Sequence, residues 1–387
     1  MLIHAIKLNN FLSFGELSQA IPLGKLNVII GPNGSGKSNL LESIELLRNA
    51  PEQFQKPISD GGGVHDWLWK GGKGTPTASL DVVVDYPKGP QKLRYSLSFT
   101  EVSQRFEIKD EKVEHEKPDT GHHQSYFYYH FNHGRPTLNV KGNKRVLQEE
   151  DVDMEKSILS QRRDPDQYPE ITYLGQVLGK IRLYREWSFG RYTVPRLPQK
   201  ADLPNDMLEP DASNLGLVLN RLHGDPIVKA RLLKALRALY DGIDDYHVQV
   251  QGGTVQVFFH EGRFKIPATR LSDGTLRYLC LLAILCHPNP PPLVCIEEPE
   301  LGLHPDILPT LADLLKEASE RCQIIVTTHS DVLVDAMTDQ PDAVLVCEKT
   351  SDGTTMRRLD SAELKPWLEK YRLGELWTRG DIGGTRW

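Results

Sequence analysis

The residues best suited to chemistry near the start of the chain form a glycine-rich stretch that ends in Lys and Ser. This stretch, residues 31–38, follows an apolar run, Leu26–Ile30, and precedes a helical pattern. Glycines at this spacing let backbone N–H groups converge on phosphate oxygens at a helix N-terminus. We expect Lys37 to reach the β- and γ-phosphates of a nucleotide and Ser38 to hold Mg²⁺. The predicted phosphate-binding residues are Gly31, Pro32, Asn33, Gly34, Ser35, Gly36, Lys37, Ser38 and Asn39.

Two acids, Glu297 and Glu298, follow a second apolar run, residues 293–296. Successive side chains of a strand point to opposite sides, so the two carboxylates are expected to take different roles. Glu297 is predicted to hold Mg²⁺ through water, and Glu298 to act as the general base that polarises an attacking water. On these residues alone, a pair of solvated acids at a strand end is an equally good interpretation.

Two further stretches carry polar groups at the ends of predicted elements. His329 ends the next strand pattern, where it is expected to sense the γ-phosphate and orient the water, although a strand-end His is more often structural. Ser272 and Gly274 open a helix with Leu276, Leu279, Leu282 and Leu285. They suit an anion site and equally an ordinary N-cap.

The elements that position these residues alternate in type along the chain. After residue 38, apolar residues at i, i+1, i+4 and i+7 predict a helix, and residues 78–86 and 92–100 predict strands of an antiparallel meander. From residue 291 onward, strand and helix patterns alternate, which predicts a parallel sheet covered by helices. Residues 143–215 are richer in charge, Pro and Arg, and are interpreted as a partly helical inserted lobe. The predicted division is therefore 1–142, 143–215, 216–350 and a tail, 351–387.

Bulk composition restricts the class of protein. Lys plus Arg is 46 against 52 for Asp plus Glu, so the net charge is 46 − 52 = −6 and no global basic field exists. A DNA contact would need a local patch. The candidates, beside the plainer interpretation of solvated surface, are Arg162, Arg163, Arg182, Arg185, Arg191 and Arg196. The five cysteines are interpreted as reduced thiols of a cytoplasmic protein. No stretch approaches 18 apolar residues, so no membrane span is expected.

Taken in order, four stretches resemble the ABC-type ATPase heads of the SMC, RecF and OLD group. They look most like compact prokaryotic AAA family ATPases, and they read GPNGSGKS, LSDGTLR, LVCIEEPELGLHP and IIVTTHSD. The likeness covers residues 1–100 and about 215–350. It implies an α/β P-loop NTPase fold, namely an ABC-type head with an antiparallel β subdomain and a partly helical inserted lobe in place of the long coiled coil.

The resemblance also implies ATP and Mg²⁺ as ligands and a homodimer that forms head to tail around ATP. Ser272 and Gly274 would then contact the γ-phosphate bound by the second chain, and residues 302–305 would cross the interface. Asp273 stands where the LSGG motif has its second small residue, although it suits the subgroup that this chain resembles most.

The function expected from the sequence is ATP binding and hydrolysis by a sensor or motor in DNA metabolism or anti-phage defence, acting with a separately encoded effector. A nucleotide-gated binding module with negligible turnover is the alternative. Partner recognition is expected in the insertion and the tail, where residues that favour interfaces collect. They are Trp187, Arg191, Trp367, Trp377 and Trp387.

Overall fold

The computed structural model describes residues 1–72, 74–132, 135–140, 143–146 and 152–385. Its contacts divide the chain into two compact units. The first consists of Met1–Ile181, Leu345–Leu359 and Ile382–Trp387, and the second of Arg182–Val344 and Asp360–Asp381. The predicted four-segment division stays a prediction. The boundary after residue 142 and the last residue of the predicted tail, Trp387, lie outside the described residues.

The strands follow one another along the whole chain. In chain order they are β1 (Ile3–Asn9), β2 (Ile21–Pro22), β3 (Leu26–Ile30), β4 (Ala78–Val84), β5 (Leu93–Val102), β6 (Arg105–His115), β7 (Phe127–Asn132), β8 (Arg135–Val140), β9 (Asn143–Val146), β10 (Arg182–Tyr184), β11 (Gln199–Lys200), β12 (Asp245–Gln251), β13 (Thr254–Glu261), β14 (Phe264–Pro267), β15 (Leu293–Glu297), β16 (Gln323–Thr327), β17 (Val344–Thr350) and β18 (Gly353–Arg358).

The helices are mostly short, and two of the longer ones, α1 and α8, begin at motif-bearing turns. They are α1 (Lys37–Asn49), α2 (Gln55–Asp60), α3 (Val64–Trp67), α4 (Ile158–Gln161), α5 (Pro169–Leu178), α6 (Leu215–His223), α7 (Pro226–Leu239), α8 (Asp273–Leu285), α9 (Leu308–Ser319), α10 (Asp331–Asp335), α11 (Ser361–Leu368) and α12 (Leu373–Thr378).

The first unit is built on an antiparallel sheet with the order β2-β1-β4-β5-β6-β7-β8-β9. This is the predicted meander, and its strands alternate buried and half-buried side chains as a sheet with one buried face does. In the same unit β3 lies beside β17, which pairs with β18. All five residues of β3 are buried, and the predicted apolar face of α1 is buried too.

The second unit contains the parallel strands β10, β15 and β16, with β15 in the middle. Strand β15 runs into α9 and the chain returns as β16, which is the predicted strand–helix–strand alternation. The first four residues of β15 and all of β16 are buried, as expected for strands covered on both faces. A smaller antiparallel sheet has the order β11-β13-β12, with β14 paired to β13.

The C-terminal tail corrects one expectation about partner surfaces. Leu373 and Leu376 of α12 are fully buried and Trp377 is only 8% exposed, whereas Trp367 of α11 is 50% exposed. The backbone N–H of Gly374 also donates to Asp335 Oδ1 at 2.7 Å. Trp377 is therefore part of the core of the second unit and is not available to a partner.

Two sequence-based expectations about the chain as a whole can be compared with the structure. All five cysteines are free and buried, and burial raises the pKa of Cys347, beside the phosphate loop, to about 11. Among the helices of the described residues, none is long and apolar enough to cross a membrane.

Candidate functional site

The phosphate loop, residues 31–38, takes a backbone path that only glycine adopts without strain. Gly31, Gly34 and Gly36 all have positive φ angles, of 150°, 77° and 112°. Gly36 directly precedes α1, and a Cβ at this position would collide with the hydroxyls of Ser13 and Thr354. The loop therefore brings backbone close to the start of a 13-residue helix, as the glycine spacing predicts.

Lys37 is buried against its own loop. Its side chain is 6% exposed, and Nζ donates hydrogen bonds to Gly31 O at 2.8 Å and to Pro32 O at 3.1 Å. The ammonium group thus lies over the turn of the loop and holds it closed. A phosphate anion at this place would meet a positive charge that is already desolvated, which strengthens the attraction.

Two residues outside the motif, Ser13 and Thr354, support the phosphate loop through hydrogen bonds. Thr354 Oγ1 lies 2.6 Å from Ser35 O and 2.7 Å from Ser13 Oγ. Asn39 Nδ2 donates to Ser13 Oγ at 2.6 Å. Asn39, predicted to bind phosphate, therefore anchors the loop through its side chain, and sequence reasoning missed Ser13 and Thr354 because they are distant in the chain.

In the second unit, Glu298 stands in an unusual backbone conformation directly after β15. Its φ is 45°, in the left-handed region that L-residues rarely adopt, and its N–H donates to Thr327 O at 3.0 Å. His329 Nε2 lies 3.5 Å from Glu298 Oε1, and both side chains are about one-third exposed. The structure thus brings together the two residues predicted to act on water.

Glu300 fixes the segment that carries His329. Its Oε1 accepts hydrogen bonds from Thr328 Oγ1 at 2.7 Å and from the N–H of His329 at 2.8 Å. Sequence reasoning assigned no role to this third acid, although it stands in the same acidic stretch as Glu297 and Glu298. Glu300 thus positions the backbone of His329, whose imidazole faces Glu298.

Glu297 is held by an arginine of the neighbouring strand. Strand β10 pairs in parallel with β15 so that Tyr184 lies opposite Ile296, and the next residue, Arg185, donates from Nε to Glu297 Oε2 at 2.7 Å. Both side chains are nearly one-fifth exposed. Arg185 is therefore engaged with a predicted metal ligand and does not belong to a free basic face.

The signature loop, residues 271–274, forms the start of α8. Ser272 is its N-cap, with Oγ accepting from the N–H of Thr275 at 3.1 Å, and Ser272 is exposed. A Cβ at Gly274 would collide with the carbonyl oxygen of Gly302, so this glycine is required by a close backbone approach. The N-cap interpretation therefore holds, and it leaves the Ser272 side chain at the surface.

Arg196 is the second arginine of the predicted basic face that is not available to DNA. It is 7% exposed, and its guanidinium contacts Leu271 O and Asp273 Oδ1 in the signature loop. Of the other arginines considered for DNA, Arg163 and Arg191 are exposed, and Arg162 and Arg182 are half-buried.

Comparison with solved structures identifies the fold. The Smc head bound to the C-winged helix domain of ScpA is 15% identical, with a TM-score of 0.58 over 94% of this chain and 99% of that one. The Smc head with an extended coiled coil from Pyrococcus furiosus, bound to the C-terminal domain of ScpA, gives 15% and 0.58 over 96% and 99%. The Smc head with a coiled coil and joint from Pyrococcus yayanosii gives 12% and 0.51 over 96% and 99%. The chain thus has the fold of an SMC/ABC-like P-loop ATPase head, and the predicted fold class is confirmed.

A family model places the chain within that class. The model described as "AAA domain, putative AbiEii toxin, Type IV TA system" matches residues 26–137 and 188–335. These ranges cover most of the chain, and the chain belongs to this family of P-loop ATPases. No curated protein matches the sequence.

Proposed function

We propose that this protein hydrolyses ATP, with Glu298 as the general base and His329 as its partner. The observation that carries the proposal is the Glu298–His329 pair, 3.5 Å apart and held by a left-handed backbone at Glu298. Such a conformation costs about 1–3 kcal/mol and persists where the fold must aim a side chain, most often at functional sites. A carboxylate beside an imidazole can accept the proton of an attacking water while the oxygen of that water approaches the γ-phosphorus.

The phosphate loop would bind the triphosphate. Its positive-φ glycines and the start of α1 supply backbone N–H groups, and Lys37 supplies a desolvated positive charge. Asn39 would act by holding the loop through Ser13. Because phosphoryl transfer is catalysed chiefly by positioning and charge, these contacts would orient the γ-phosphate for in-line attack.

Mg²⁺ fits the donor set. It prefers hard oxygen ligands, and the exposed Ser38 hydroxyl and the Glu297 carboxylate are of this kind. We propose that these two side chains hold the ion, Glu297 through water. When bound, the ion would neutralise charge on the β- and γ-phosphates. Arg185 would have to share or release Glu297 for this to happen.

ATP would also drive two chains together. Ser272 lies exposed at the start of the 13-residue helix α8, a place that favours an anion. The proposed ligand is the γ-phosphate of ATP bound by a second copy of the chain, contacted by Ser272 and by the backbone at Gly274. Because the ligand would then be shared, ATP binding and association would be thermodynamically linked.

The proposed biological role is that of a cytoplasmic sensor or motor in DNA metabolism or anti-phage defence that acts on a separately encoded effector. Two of the solved Smc heads are bound to ScpA, and the family description names a toxin–antitoxin system, which supports a protein partner. Among the described residues of the predicted partner set, Arg191 and Trp367 are exposed and Trp187 is half-buried. DNA is the other candidate partner.

Steady-state phosphate release, with and without duplex DNA, tests the activity. Wild-type protein should release phosphate from ATP in a Mg²⁺-dependent reaction, whereas Lys37→Ala should bind ATP weakly and release none above background, since the phosphates lose their counter-charge. Wild-type protein that binds ATP but releases no more phosphate than Lys37→Ala would contradict the enzyme and favour a nucleotide-gated binding module.

A further inference from the structure

One segment of the second unit touches several motif residues at once. This arginine strap, residues 185–196, begins with Arg185, which donates to Glu297. Two of its aromatic rings, those of Trp187 and Phe189, lie 5.6 Å and 5.4 Å from the guanidinium carbon of Arg277 on α8. The strap thus contacts both the acidic end of β15 and the helix α8 that follows the signature loop.

The strap ends in Arg196, whose guanidinium is committed on every nitrogen. Nε and Nη2 donate to Phe189 O at 3.3 Å and 3.0 Å, and Nη1 donates to Thr269 O at 3.4 Å. Nη1 also contacts Leu271 O, and Nη2 contacts Asp273 Oδ1. One rigid, buried fork therefore ties the backbone of the strap to the backbone and the carboxylate of the signature loop.

The pair with Arg196 gives a role to the Asp273 carboxylate, which stands where the LSGG motif has a small residue. Asp273 is 68% exposed, so burial does not require a carboxylate there, and it adds a charge beside a proposed phosphate contact. Paired with the always-charged Arg196, the carboxylate no longer presents an uncompensated negative charge to a phosphate. It also gives the guanidinium a charged acceptor, which makes the contact stronger and more directional than a bond to a carbonyl.

We propose that Arg196 and Asp273 are positioning residues that fix the signature loop so that Ser272 and Gly274 can meet ATP held by a second chain. This inference rests on the proposed ATP-driven association. Arg196 is buried and acts only through the loop, since its own side chain cannot reach a partner. Loosening the loop should therefore weaken association and leave ATP binding to the single chain intact.

The test uses Glu298→Gln protein as the parent, because loss of the base should keep ATP bound. Sedimentation velocity with ATP and Mg²⁺ gives the dissociation constant of the dimer, and ATP binding is measured on the dilute single chain. Arg196→Lys, which keeps the charge but loses the fork, should raise the dimer dissociation constant at least about tenfold with ATP affinity within about twofold. Arg231→Ala is the matched control. This arginine pairs with Glu317 at 3.2 Å in the same unit, and its loss should leave association at the parent value.

Asp273→Ala provides a second variant, because its exposed side chain can be removed without leaving a cavity in the core. Like Arg196→Lys, it should raise the dimer dissociation constant. It should also speed amide hydrogen exchange over residues 271–275 in protein without nucleotide, because the signature loop is loosened. Parent-like association of both variants would overturn the inference while the proposed function stands. Lost association of Asp273→Ala with unchanged loop exchange would overturn it too, because Asp273 would then contact the partner directly. A parent that does not associate with ATP would overturn the proposed dimer itself, and the inference with it.

Discussion

At the scale of single residues, neighbouring acids differ through what faces them. Glu297 is paired with a guanidinium at 2.7 Å, whereas Glu298 faces an imidazole at 3.5 Å from a left-handed backbone. The alternation of side chains along a strand predicts that the two differ, and the partners decide how. A carboxylate that already has a cation is suited to exchanging it for a metal ion, while one that faces an imidazole is suited to taking a proton from water.

The Arg185–Glu297 pair leads to a prediction about Mg²⁺. Arg185→Gln should lower the Mg²⁺ concentration that half-saturates ATP binding by about fivefold. In the wild-type protein the ion has to displace the guanidinium from Glu297, which costs about 1 kcal/mol, and the variant has no guanidinium to displace. Arg191→Gln, an exposed residue of the same strap, is the control and should leave this concentration unchanged. Calorimetric titration of Mg²⁺ at fixed ATP measures it. A higher Mg²⁺ requirement in Arg185→Gln would mean that the arginine orients Glu297 for the ion.

At the scale of elements, local patterns predict which strand or helix carries each motif residue. The phosphate loop at the start of α1, the acids at the end of β15 and the histidine after β16 all lie where glycine spacing and apolar runs place them. The supporting residues were not predictable in this way. Arg196 and Leu271 are 75 positions apart, and Thr354 and Ser13 are 341 apart. Such contacts depend on tertiary packing, for which no local spacing exists.

A buried acid in the first unit provides a prediction about pH. Glu111 of β6 is 2% exposed and accepts hydrogen bonds from Tyr95, Ser157 and the N–H of Ile158, which anchors the start of α4. Burial nevertheless raises the pKa of Glu111 to about 7. Since this exceeds the unfolded value, the group stabilises the fold fully below about pH 4.5, and the contribution is lost as pH rises through 7.

Glu111→Gln should remove that pH dependence. In the wild-type protein we expect the group to lower the free energy of unfolding by about 3 kcal/mol between about pH 4.5 and 8. Urea unfolding at several pH values should show a smaller fall for Glu111→Gln. Glu107→Gln, on the same strand but partly exposed, should leave it unchanged. An equal fall in all three proteins would assign the pH dependence to other groups.

At the scale of the whole molecule, burial decides which tail residues are structural. Trp377→Ala should lower the free energy of unfolding by about 3–5 kcal/mol, because it leaves a cavity in the second unit. Trp367→Ala, at a half-exposed position, should change it by less than about 1 kcal/mol. Chemical denaturation distinguishes the two. Equal and small changes in the free energy of unfolding would mean that Trp377 lies at the surface, and the tail would again be a candidate partner site.

The same burial alters what a truncation can test. Deleting residues 374–387 removes Leu376, Trp377 and Ile382 from the packed parts of the protein, so a loss of function in that variant would report instability. Partner recognition is better tested on the exposed positions Trp367 and Arg191, whose substitution leaves the core intact.

Single-turnover hydrolysis by Glu298→Gln tests the central claim most directly. The variant keeps the shape of the side chain and the phosphate loop but lacks a base, so ATP affinity should stay within about twofold of wild type. Its rate of phosphate formation should fall by about 10²–10⁴, the usual contribution of a general base. Rapid mixing of excess enzyme with ATP and Mg²⁺ measures this rate. A variant that binds ATP and hydrolyses it at the wild-type rate would contradict the account, because the Glu298–His329 pair would then have no part in the chemistry.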